Sequence, residues 1–318
     1  MDRSVVTIAP TPPYDFDLTA AYATYFRGQY GAEIYQEGVF RRLLDCRGHL
    51  CLVTVRSLGR VVSPLLEVEI EKADTGLDDD LISQVKRQVA WIFGTDQNLA
   101  PFYRMAMNDS VAGPLVCGLK GLHIPHTASV YEALVLAILG QQISSDVARV
   151  VRTLLIQTYG PSAEVSGVTY YAFPPPEAIV AAGMEGLRAI KFSARKAEYV
   201  VGIATRVASG ELDLEGLQYQ PDEEVVRTLV GIRGVGLWTA QWLLIRALGR
   251  TDGFPHGDLA LQRFLGLLMD KGAPFSPEEA LEYSRRWSPF RSYVTTYLFA
   301  AARSRRFASL SRGGQVGP

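Results

Sequence analysis

Residues 229–242 read L-V-G-I-R-G-V-G-L-W-T-A-Q-W. Apolar residues recur at helical spacing on both sides of the glycines, which predicts two short helices over about residues 222–248, with Asp222 as the N-cap of the first. Gly234 and Gly236 then lie in the turn at the N-terminus of the second helix, where unpaired backbone N–H groups point outward. Glycine lets an anion approach such a turn closely, so the stretch predicts a phosphate-binding hairpin. An ordinary corner between two helices is the alternative.

A second segment, F-P-H-G-D at residues 254–258, ends in an aspartate directly before an apolar helical pattern at residues 259–265. Aspartate in that position caps a helix. The same backbone amides keep a carboxylate charged and pointed in one direction, so a cap and a catalytic group are compatible. Asp258 is therefore the candidate catalytic residue, and a purely structural cap is the alternative.

Length and composition indicate a soluble globular protein with two or three packed units. The chain has 318 residues, of which 48% are hydrophobic, and no apolar run reaches membrane length. Residues 1–11 contain one arginine and no apolar core of a signal peptide, so secretion is not expected. Cys46, Cys51 and Cys117 lack metal-ligand spacing, which favours reduced thiols. A cytoplasmic protein is predicted, associated with the nucleoid if the source is bacterial.

The charge is unevenly divided along the chain. Residues 1–119 hold 11 Lys and Arg against 15 Asp and Glu, a net charge of −4, whereas residues 120–318 hold 21 against 18, a net charge of +3. The overall net charge of −1 does not favour a nucleic-acid binder that relies on lysine contacts. A protein that holds a few phosphates through backbone amides needs less basic excess, so DNA binding remains compatible with this composition.

The first third of the chain differs in pattern from the rest. Alternating β-rich runs at residues 50–56, 61–62 and 65–70 and an amphipathic helix at 78–93 predict a small α/β domain. From about residue 130 the pattern is almost entirely helical, and the joint falls near residues 113–125. Helices are expected in this second part at residues 131–139, 146–159, 176–182, 195–209, 259–269, 277–287 and 293–303.

Four blocks in a fixed order resemble the helix-hairpin-helix DNA glycosylase superfamily, specifically the AlkA type of 3-methyladenine DNA glycosylase II. They are P-Y-D-F at residues 13–16, A-I-L-G-Q-Q-I-S at 137–144, the hairpin at 229–240 with its aspartate, and R-W-S-P-F-R-S-Y at 286–293. The resemblance covers nearly the whole chain.

The resemblance implies an α+β fold that is mainly α. It places a TBP-like α/β domain at residues 1–119 and a helical glycosylase core at residues 120–309, with the helix-hairpin-helix at about 222–248. The active-site cleft is expected between helical subdomains. Residues 310–318 are expected to form a flexible tail.

The resemblance also implies the reaction. Cleavage of an N-glycosidic bond develops oxocarbenium charge on the sugar, and the carboxylate of Asp258 would stabilise that charge or orient water. Bifunctional members carry a lysine two residues after the second glycine of the hairpin, where this chain has Trp238. A monofunctional enzyme is therefore expected, which leaves an abasic site without cutting the strand. No cofactor is expected to be required, and no iron–sulfur cluster, since no cysteine follows Cys117.

Aromatic faces would bind an alkylated, cationic base. Trp238 is the first expected wall, and alignment to the family's pocket adds Tyr22, Trp242 and Phe299, with Leu259 beside the aspartate. Phe299 stands where the family has tryptophan and Trp242 where it has tyrosine, which leaves the range of accepted bases open. The alternative for each aromatic residue is a place in the hydrophobic core.

Contacts to DNA are expected from the hairpin and two further places. The resemblance places Gln142 where the AlkA type has an apolar wedge that fills the gap left by the flipped base, and glutamine would fill it by hydrogen bonding the widowed partner. A solvated loop is the alternative for this residue. Arg291 is expected to bind a phosphate or, equally, to form a structural pair. The family also implies a structural Na⁺ or K⁺ ion at the hairpin. The hairpin residues concerned are Gly234, Gly236, Trp238 and Thr239 for DNA, and the main-chain carbonyls of Val230, Ile232 and Val235 for the ion.

The predicted function is a monofunctional glycosylase that flips alkylated bases, such as 3-methyladenine and 7-methylguanine, out of duplex DNA in base excision repair. A monomer is expected, with double-stranded DNA as partner, no membrane partner, and an abasic-site endonuclease acting downstream. Two alternatives remain. One is a glycosylase for deaminated or oxidised bases, which the altered aromatic positions allow, and the other is a non-catalytic helix-hairpin-helix DNA-binding protein.

Overall fold

The computed structural model describes residues 2–72 and 76–304, so the predicted tail at 310–318 lies outside the described residues. A six-stranded antiparallel sheet in the first part is followed by a mostly helical part. This confirms the predicted α+β class that is mainly α. Among the described helices none is long and apolar enough to cross a membrane.

The strands of the large sheet are β1 (Asp2–Ile8), β2 (Gln29–Tyr30), β3 (Glu33–Gln36), β4 (Val39–Cys46), β5 (His49–Ser57) and β6 (Leu66–Lys72). Strands β2 to β6 form a meander, and β1 pairs with β6, in the order β1-β6-β5-β4-β3-β2. The turns between β3 and β4 and between β4 and β5 are tight, because two residues at each adopt positive φ: 52° and 74° at Glu37 and Gly38, and 55° and 83° at Arg47 and Gly48.

A second, small sheet pairs β7 (Ser162–Val165) with β8 (Val168–Tyr171). Its turn has the same form, with φ of 52° at Ser166 and 77° at Gly167. Apolar residues of this hairpin pack on Leu43 and Leu52 of the large sheet. The hairpin therefore covers part of the sheet face opposite to the one that packs against the helices at Phe16–Ala23 and Asp79–Ile92.

Thirteen α-helices are present among the described residues. Six precede the second sheet: α1 (Phe16–Ala23), α2 (Asp79–Ile92), α3 (Ala100–Ala106), α4 (Ala112–Gly118), α5 (Val130–Gly140) and α6 (Ser145–Tyr159). Seven follow it: α7 (Pro176–Ala189), α8 (Ala194–Ala208), α9 (Asp222–Val230), α10 (Leu237–Arg246), α11 (Leu259–Leu268), α12 (Pro277–Ser284) and α13 (Arg291–Arg303). Short 3-10 helices lie at Glu215–Tyr219 and Arg285–Trp287.

Most helices have an N-cap that the sequence supplies. Asp15, Asp78, Ser129, Ser144 and Ser193 each accept a backbone N–H of the first turn that follows them. Asp258 caps α11 in the same way, as predicted. The predicted cap at Asp222 is wrong: α9 begins at Asp222 itself, and Pro221 stands at the N-cap without a side-chain hydrogen bond.

A second correction concerns residues 61–62, which were expected to be part of a strand. They lie in a turn closed by the isolated bridge between Arg60 and Ser63. The apolar pair is short and sits between the ends of β5 and β6, where a tight reversal leaves no room for strand pairing. The expectation of an almost entirely helical second part is also incomplete, because the β7-β8 hairpin interrupts it.

The helices form two hydrophobic cores beside the core of the sheet. The first contains apolar residues of α5 to α10. The second contains apolar residues of α3, α4, α11 and α13, together with Tyr22 of α1. Helices α3 and α4 precede residue 119, the predicted boundary, and pack with α13 in this second core. The cleft between the two helical cores holds the candidate site.

Candidate active site

A cavity of about 400 Å³ lies in this cleft. It is bounded by α5 and α6 on one side and by α1, α10, α11 and α13 on the other. A space of this size is within the range of pockets that hold a small molecule or a single base. Five of the predicted site residues line it: Tyr22, Trp238, Trp242, Asp258 and Phe299.

Asp258 is held by four hydrogen bonds. Its Oδ1 accepts the backbone N–H groups of Ala260 at 2.9 Å and Leu261 at 3.1 Å, which are the first free donors of α11. Its Oδ2 accepts the indole Nε1–H of Trp238 at 2.8 Å and of Trp242 at 3.3 Å. The carboxylate is therefore held in one orientation at the cavity. The same side chain caps α11 and lines the cavity.

The two tryptophans reach one oxygen because they lie four residues apart on α10, on the same helical face. Both line the cavity. Each indole gives its only donor to Asp258, so the rings have a defined orientation beside the carboxylate. We call Asp258, Trp238 and Trp242 the aspartate wall.

Another part of the cavity lining carries cations stacked on aromatic rings. The guanidinium carbon of Arg303 lies 4.0 Å from the ring centroid of Tyr25 and 5.4 Å from that of Tyr22. That of Arg246 lies 5.5 Å from the Tyr22 ring centroid. Both arginines and both tyrosines line the cavity. We call Tyr22, Tyr25, Arg246 and Arg303 the arginine wall.

The two walls meet at Phe299. Its ring centroid is 5.2 Å from that of Trp242 in an edge contact, and the Arg303 guanidinium lies 5.1 Å from it. Phe264 of α11 adds a second edge contact at 5.4 Å. Phe299 is therefore part of the hydrophobic core, which was the alternative prediction, and it also lines the cavity.

The tyrosines of the arginine wall are in an unusual environment. Tyr22 is fully buried, and its hydroxyl has no hydrogen-bond partner among the described residues. Burial raises the pKa of Tyr25, but the charges of Arg303, Arg246 and Arg152 outweigh it and leave that pKa below its usual value. Tyr25 stacks on Tyr30 at 4.1 Å, where burial raises the pKa of the Tyr30 hydroxyl to about 12. The wall therefore favours negative charge at Tyr25.

A buried ion-pair network is connected to the arginine wall, because Arg152 stacks on Tyr30 and Tyr30 stacks on Tyr25. Arg42 of β4 donates to Glu33 of β3 at 2.7 Å and to Glu132 of α5 at 2.6 Å, and Arg152 of α6 donates to Glu33 at 2.7 Å. Arg152 also stacks on Tyr30 at 4.5 Å and reaches the cavity. The network joins the sheet to α5 and α6, so residues of the N-terminal domain take part in shaping the cavity.

The predicted hairpin forms between α9 and α10. Gly234 has φ of +91°, and a Cβ on it would lie 2.2 Å from the ring of Tyr199, so only glycine fits there. Gly236 is the N-cap of α10, and a Cβ added to it would meet no other part of the described chain within 4 Å. Contacts within the protein therefore do not require glycine at position 236. The space that a Cβ would fill there lies next to the free N–H groups of α10.

The loop between α5 and α6 lies beside the hairpin. Gln141 donates to the carbonyl of Gly234 at 3.0 Å and lies 3.4 Å from the hydroxyl of Thr239. Gln142 is exposed and adopts φ of +56°, in the left-handed region. Gly140 and Ile143, on either side of this pair of glutamines, line the cavity. The position predicted for the wedge is therefore at the cavity mouth.

Three further predicted site residues are not part of the cavity lining. Leu259 lies outside the cavity lining, with 67% of its surface exposed. Thr239 is buried, so its side chain is not available to DNA. Arg291 forms a two-bond pair with Asp252, at 2.8 Å and 2.7 Å, which is the structural alternative left open by the sequence. That pair ties the N-terminus of α13 to the loop that precedes Asp258.

The predicted cation carbonyls belong to the same turn. The carbonyl of Ile232 accepts the N–H of Val235 at 3.0 Å, and Val230 ends α9. Carbonyl oxygens are suitable ligands for Na⁺ or K⁺, so the donor chemistry fits such an ion. Within residues 2–72 and 76–304, no group of three or more His, Cys, Asp or Glu is placed to hold a metal.

Five charged or aromatic residues of the cavity lining were not predicted from the sequence: Tyr25, Tyr30, Arg152, Arg246 and Arg303. A signal existed for two of them, because Arg246 follows Trp242 by four residues and Arg303 follows Phe299 by four. Residues four apart share a helix face, so each arginine belongs beside a predicted pocket residue. Tyr30 and Arg152 come together only through the sheet and α6, which no local pattern indicates.

Comparison with known proteins places these features in a family. Residues 135–289 match the HhH-GPD superfamily of base excision DNA repair proteins. The chain is 35% identical over 207 residues to DNA-3-methyladenine glycosylase of Bacillus subtilis, which covers 65% of this chain and 68% of that protein. It is 30% identical over 189 residues to DNA-3-methyladenine glycosylase 2 of Escherichia coli, covering 59% and 63% of the two chains. These matches confirm the resemblance seen in the sequence.

The whole fold also matches a solved structure. A 3-methyladenine DNA glycosylase from Archaeoglobus fulgidus superposes with a TM-score of 0.82 at 28% identity, covering 94% of this chain and 98% of that one. The match extends over the N-terminal sheet as well as the helical core. Both parts of the described fold therefore belong to one shared architecture.

Proposed function

The chain belongs to the HhH-GPD superfamily of base excision DNA repair proteins and is a DNA glycosylase, and on that premise we propose that it is monofunctional and releases alkylated bases such as 3-methyladenine and 7-methylguanine from duplex DNA. The observation that carries this proposal is the position of Asp258. One carboxylate oxygen accepts two indole donors at a cavity large enough for a base. The other oxygen accepts the amides of α11.

This arrangement suits the sugar side of the reaction. As the bond between C1′ and the base nitrogen breaks, positive charge develops on the sugar, and a fixed carboxylate beside it lowers the energy of that state. The four donors hold Asp258 in place before the reaction, so no reorganisation is needed when the charge appears. Water then adds its oxygen to C1′ and its proton is released. The products are the free base and an abasic site.

A monofunctional reaction follows from the residue at position 238. A lyase of this superfamily would need an amine there to form a Schiff base with the sugar, and Trp238 has no nucleophile. Its indole N–H is bound to Asp258 instead. The strand should therefore remain intact until the abasic site is cut by a separate endonuclease.

The hairpin would hold the DNA through its phosphates. The open space at Gly236 lets a phosphate reach the N–H groups of α10, and a Na⁺ or K⁺ ion on the carbonyls of Val230, Ile232 and Val235 would add a positive charge to the same turn. Gln142 would enter the duplex where the base has been flipped out. The protein would act as a monomer in the cytoplasm, or at the nucleoid in a bacterium.

The test uses methylated duplex DNA with wild type, Asp258→Asn and Asp78→Asn. Asparagine caps a helix about as well as aspartate, so Asp258→Asn removes the charge and keeps the cap. Asp78→Asn makes the same change at the cap of α2, away from the cavity. Free bases are measured by chromatography, and strand breaks before and after alkali.

We expect wild type and Asp78→Asn to release 3-methyladenine and 7-methylguanine and to leave strands that break only after alkali. Asp258→Asn should bind the DNA and release base at least about a hundredfold more slowly, which corresponds to about 3 kcal/mol of lost transition-state stabilisation. Strand cleavage without alkali would contradict the monofunctional assignment. Binding without release by any form would favour the non-catalytic alternative.

A further inference from the structure

The turn between α5 and α6 carries two adjacent glutamines that differ in exposure and conformation. Gln141 is half-buried, with φ of −58° and ψ of 133°, whereas Gln142 is exposed, with φ of +56°. These angles fit a type II turn, in which the second central position ordinarily takes glycine or asparagine. Gln142 therefore holds a backbone conformation that the surrounding structure has to enforce. We call residues 140–143 the wedge loop.

The side chain of Gln141 joins the wedge loop to the hairpin. Its Nε2 donates to the carbonyl of Gly234 at 3.0 Å and lies 3.4 Å from the hydroxyl of Thr239, in the first turn of α10. Both partners are rigid parts of the hairpin, because Thr239 is buried and only glycine fits at position 234. Gln141 therefore fixes the wedge loop against the turn that is proposed to bind phosphate.

Helix α8 supports the wedge loop and the hairpin from one face. The Nζ of Lys196 donates to the carbonyl of Leu139 at 2.7 Å, at the end of α5, where helical carbonyls lack partners within the helix. Tyr199 lies three residues further along the same face of α8, and its ring packs against Gly234. Helix α8 thus sets the distance between the end of α5 and the hairpin, and Gln141 joins the two turns directly.

The wedge loop and the hairpin would have to act on the duplex at a fixed spacing. A phosphate held by the N–H groups of α10 fixes the DNA backbone relative to the hairpin. A side chain that fills the gap left by a flipped base must enter the stack at one position along that backbone. A displacement of about 1 Å can cost about a hundredfold in rate. A link between the two turns therefore places the wedge correctly once the phosphate is bound.

We propose that Gln141 is a positioning residue for base flipping: its amide holds the wedge loop on the hairpin, so that Gln142 meets the duplex at a set distance from the bound phosphate. This inference rests on the proposed function, because it takes the hairpin as the phosphate site and Gln142 as the wedge. Gln141 lies outside the cavity lining, so it acts through Gln142 rather than on the base. Its effect is greatest where the damaged base is most firmly paired, because extrusion then costs most.

The test measures single-turnover release of 7-methylguanine from two duplexes, with the base opposite cytosine or opposite a mismatched thymine. Gln141→Met keeps the length of the side chain and removes its donor, and Gln141→Glu keeps the shape and replaces the donor by an acceptor. Gln142→Ala removes the wedge and is also combined with Gln141→Met. The matched control is Gln97→Met, which loses a bond of the same kind, from the side-chain amide to the carbonyl of Ile124 at 2.8 Å. Neither Gln97 nor Ile124 belongs to the two turns.

Two further measurements separate positioning from a loss of stability or of affinity. A 2-aminopurine next to the damaged base fluoresces more strongly when the stack opens, so the rate of the fluorescence rise reports flipping. Affinity for an undamaged duplex reports the phosphate contact. Thermal melting identifies a temperature at which every variant is folded.

We expect Gln141→Met and Gln141→Glu to slow release opposite cytosine about fivefold to tenfold, the size expected for one lost hydrogen bond, and release opposite thymine less. The fluorescence rise should slow by a similar factor, while the affinity of Gln141→Met for undamaged duplex stays close to that of wild type. Gln142→Ala should show the same dependence on the opposite base. Adding Gln141→Met to it should cost little more, since both changes disable the same wedge. Gln97→Met should keep the wild-type ratio of the two release rates.

Several results would overturn the inference and leave release of alkylated bases intact. An equal loss, or no loss, opposite cytosine and thymine would show that Gln141 does not assist flipping. Losses that multiply in the double variant would show that Gln141 enters the duplex itself or acts separately from Gln142. Weaker affinity at unchanged release rates would assign Gln141 to phosphate binding, and wild-type rates in Gln142→Ala would remove the wedge. Release by no form would instead contradict the proposed function itself.

Discussion

The aspartate wall and the arginine wall face the same cavity but are built in different ways. Asp258 is held by main-chain amides of its own helix and by two indoles from α10, so its support comes from residues 238–261. The arginine wall draws on α1, α10 and α13 and is backed by ion pairs between the sheet and α5 and α6. A local segment thus supplies the carboxylate at the cavity, whereas distant parts of the chain supply the arginines and tyrosines that line it.

This difference indicates which substitutions would affect Asp258. The local wall depends on a short sequence pattern, and any alteration within it would affect the carboxylate directly. The arginine wall is spread over several elements, and none of its four residues donates one of the four hydrogen bonds to the Asp258 carboxylate. We infer that substitutions in the arginine wall disturb the hydrogen bonding of Asp258 less than substitutions in the aspartate wall.

The largest expected effect comes from breaking the ion pairs behind the arginine wall. Glu132→Gln leaves Arg42 buried with one of its two partners lost, and breaking a buried pair costs about 3 kcal/mol of unfolding free energy or more. Urea denaturation measures the change. Glu224→Gln is the matched control, because its pair with Arg227 is exposed and should contribute little to stability.

The activity of Glu132→Gln tests whether the aspartate wall works independently of the ion pairs next to the arginine wall. At a temperature where Glu132→Gln is folded, its release of 7-methylguanine should stay close to that of wild type, since the hydrogen bonds that hold Asp258 come from other residues. If Glu132→Gln lowers the unfolding free energy no more than Glu224→Gln does, the buried ion pairs contribute little to the stability of the fold. A large loss of 7-methylguanine release in folded protein would show that the walls are not independent.

A smaller effect is expected within the aspartate wall. Trp238→Phe removes the 2.8 Å donor to Oδ2, and Trp242→Phe removes the 3.3 Å donor to the same atom. A hydrogen bond to a charged group contributes about 1.5 kcal/mol, so Trp238→Phe should slow release of both bases about tenfold, and Trp242→Phe less. Single-turnover release of 3-methyladenine and of 7-methylguanine from duplex DNA measures this. A loss limited to one base would place the tryptophans in base selection rather than in holding the carboxylate.

The smallest effect is a titration that reports the field of the arginine wall. The ultraviolet difference between wild type and Tyr25→Phe, followed with rising pH, should show a midpoint below the ordinary value of 10.0. In the Arg303→Met background the midpoint should move up, because burial then acts with less opposition from the arginines. A midpoint above 10.0 in wild type, or one that ignores Arg303, would contradict the charge assigned to this wall.

The sequence predicted the local wall well and the distant one poorly, for a physical reason. Asp258 and Trp238 belong to short sequence motifs, so a short stretch sufficed to predict that they lie at the cavity. Arg246 and Arg303 follow predicted pocket residues by one helical turn, and helical geometry alone would have indicated them. Arg152 and Tyr30 meet through packing of the sheet against α6, which depends on long-range contacts that no local pattern contains.

The fold shows the same division. The helices around the hairpin and α2 were predicted nearly to their ends, because apolar residues recur at a clear period. Strands β1 to β4 and the β7-β8 hairpin were not predicted. Three of their turns carry a glycine at the second positive-φ position, at Gly38, Gly48 and Gly167, which is a usable signal for a tight hairpin. Several of these strands are short and partly exposed, so their alternation is weak.

The most direct test of the central claim compares the two walls on one base. Single-turnover release of 7-methylguanine from duplex DNA is measured for wild type, Asp258→Asn and Arg303→Met. If Asp258 supplies the charge that the reaction needs and is held independently of the arginine wall, Asp258→Asn slows release at least about a hundredfold, whereas folded Arg303→Met releases the base at close to the wild-type rate. Release by Asp258→Asn at the wild-type rate, or an equally large loss in Arg303→Met, would contradict the account.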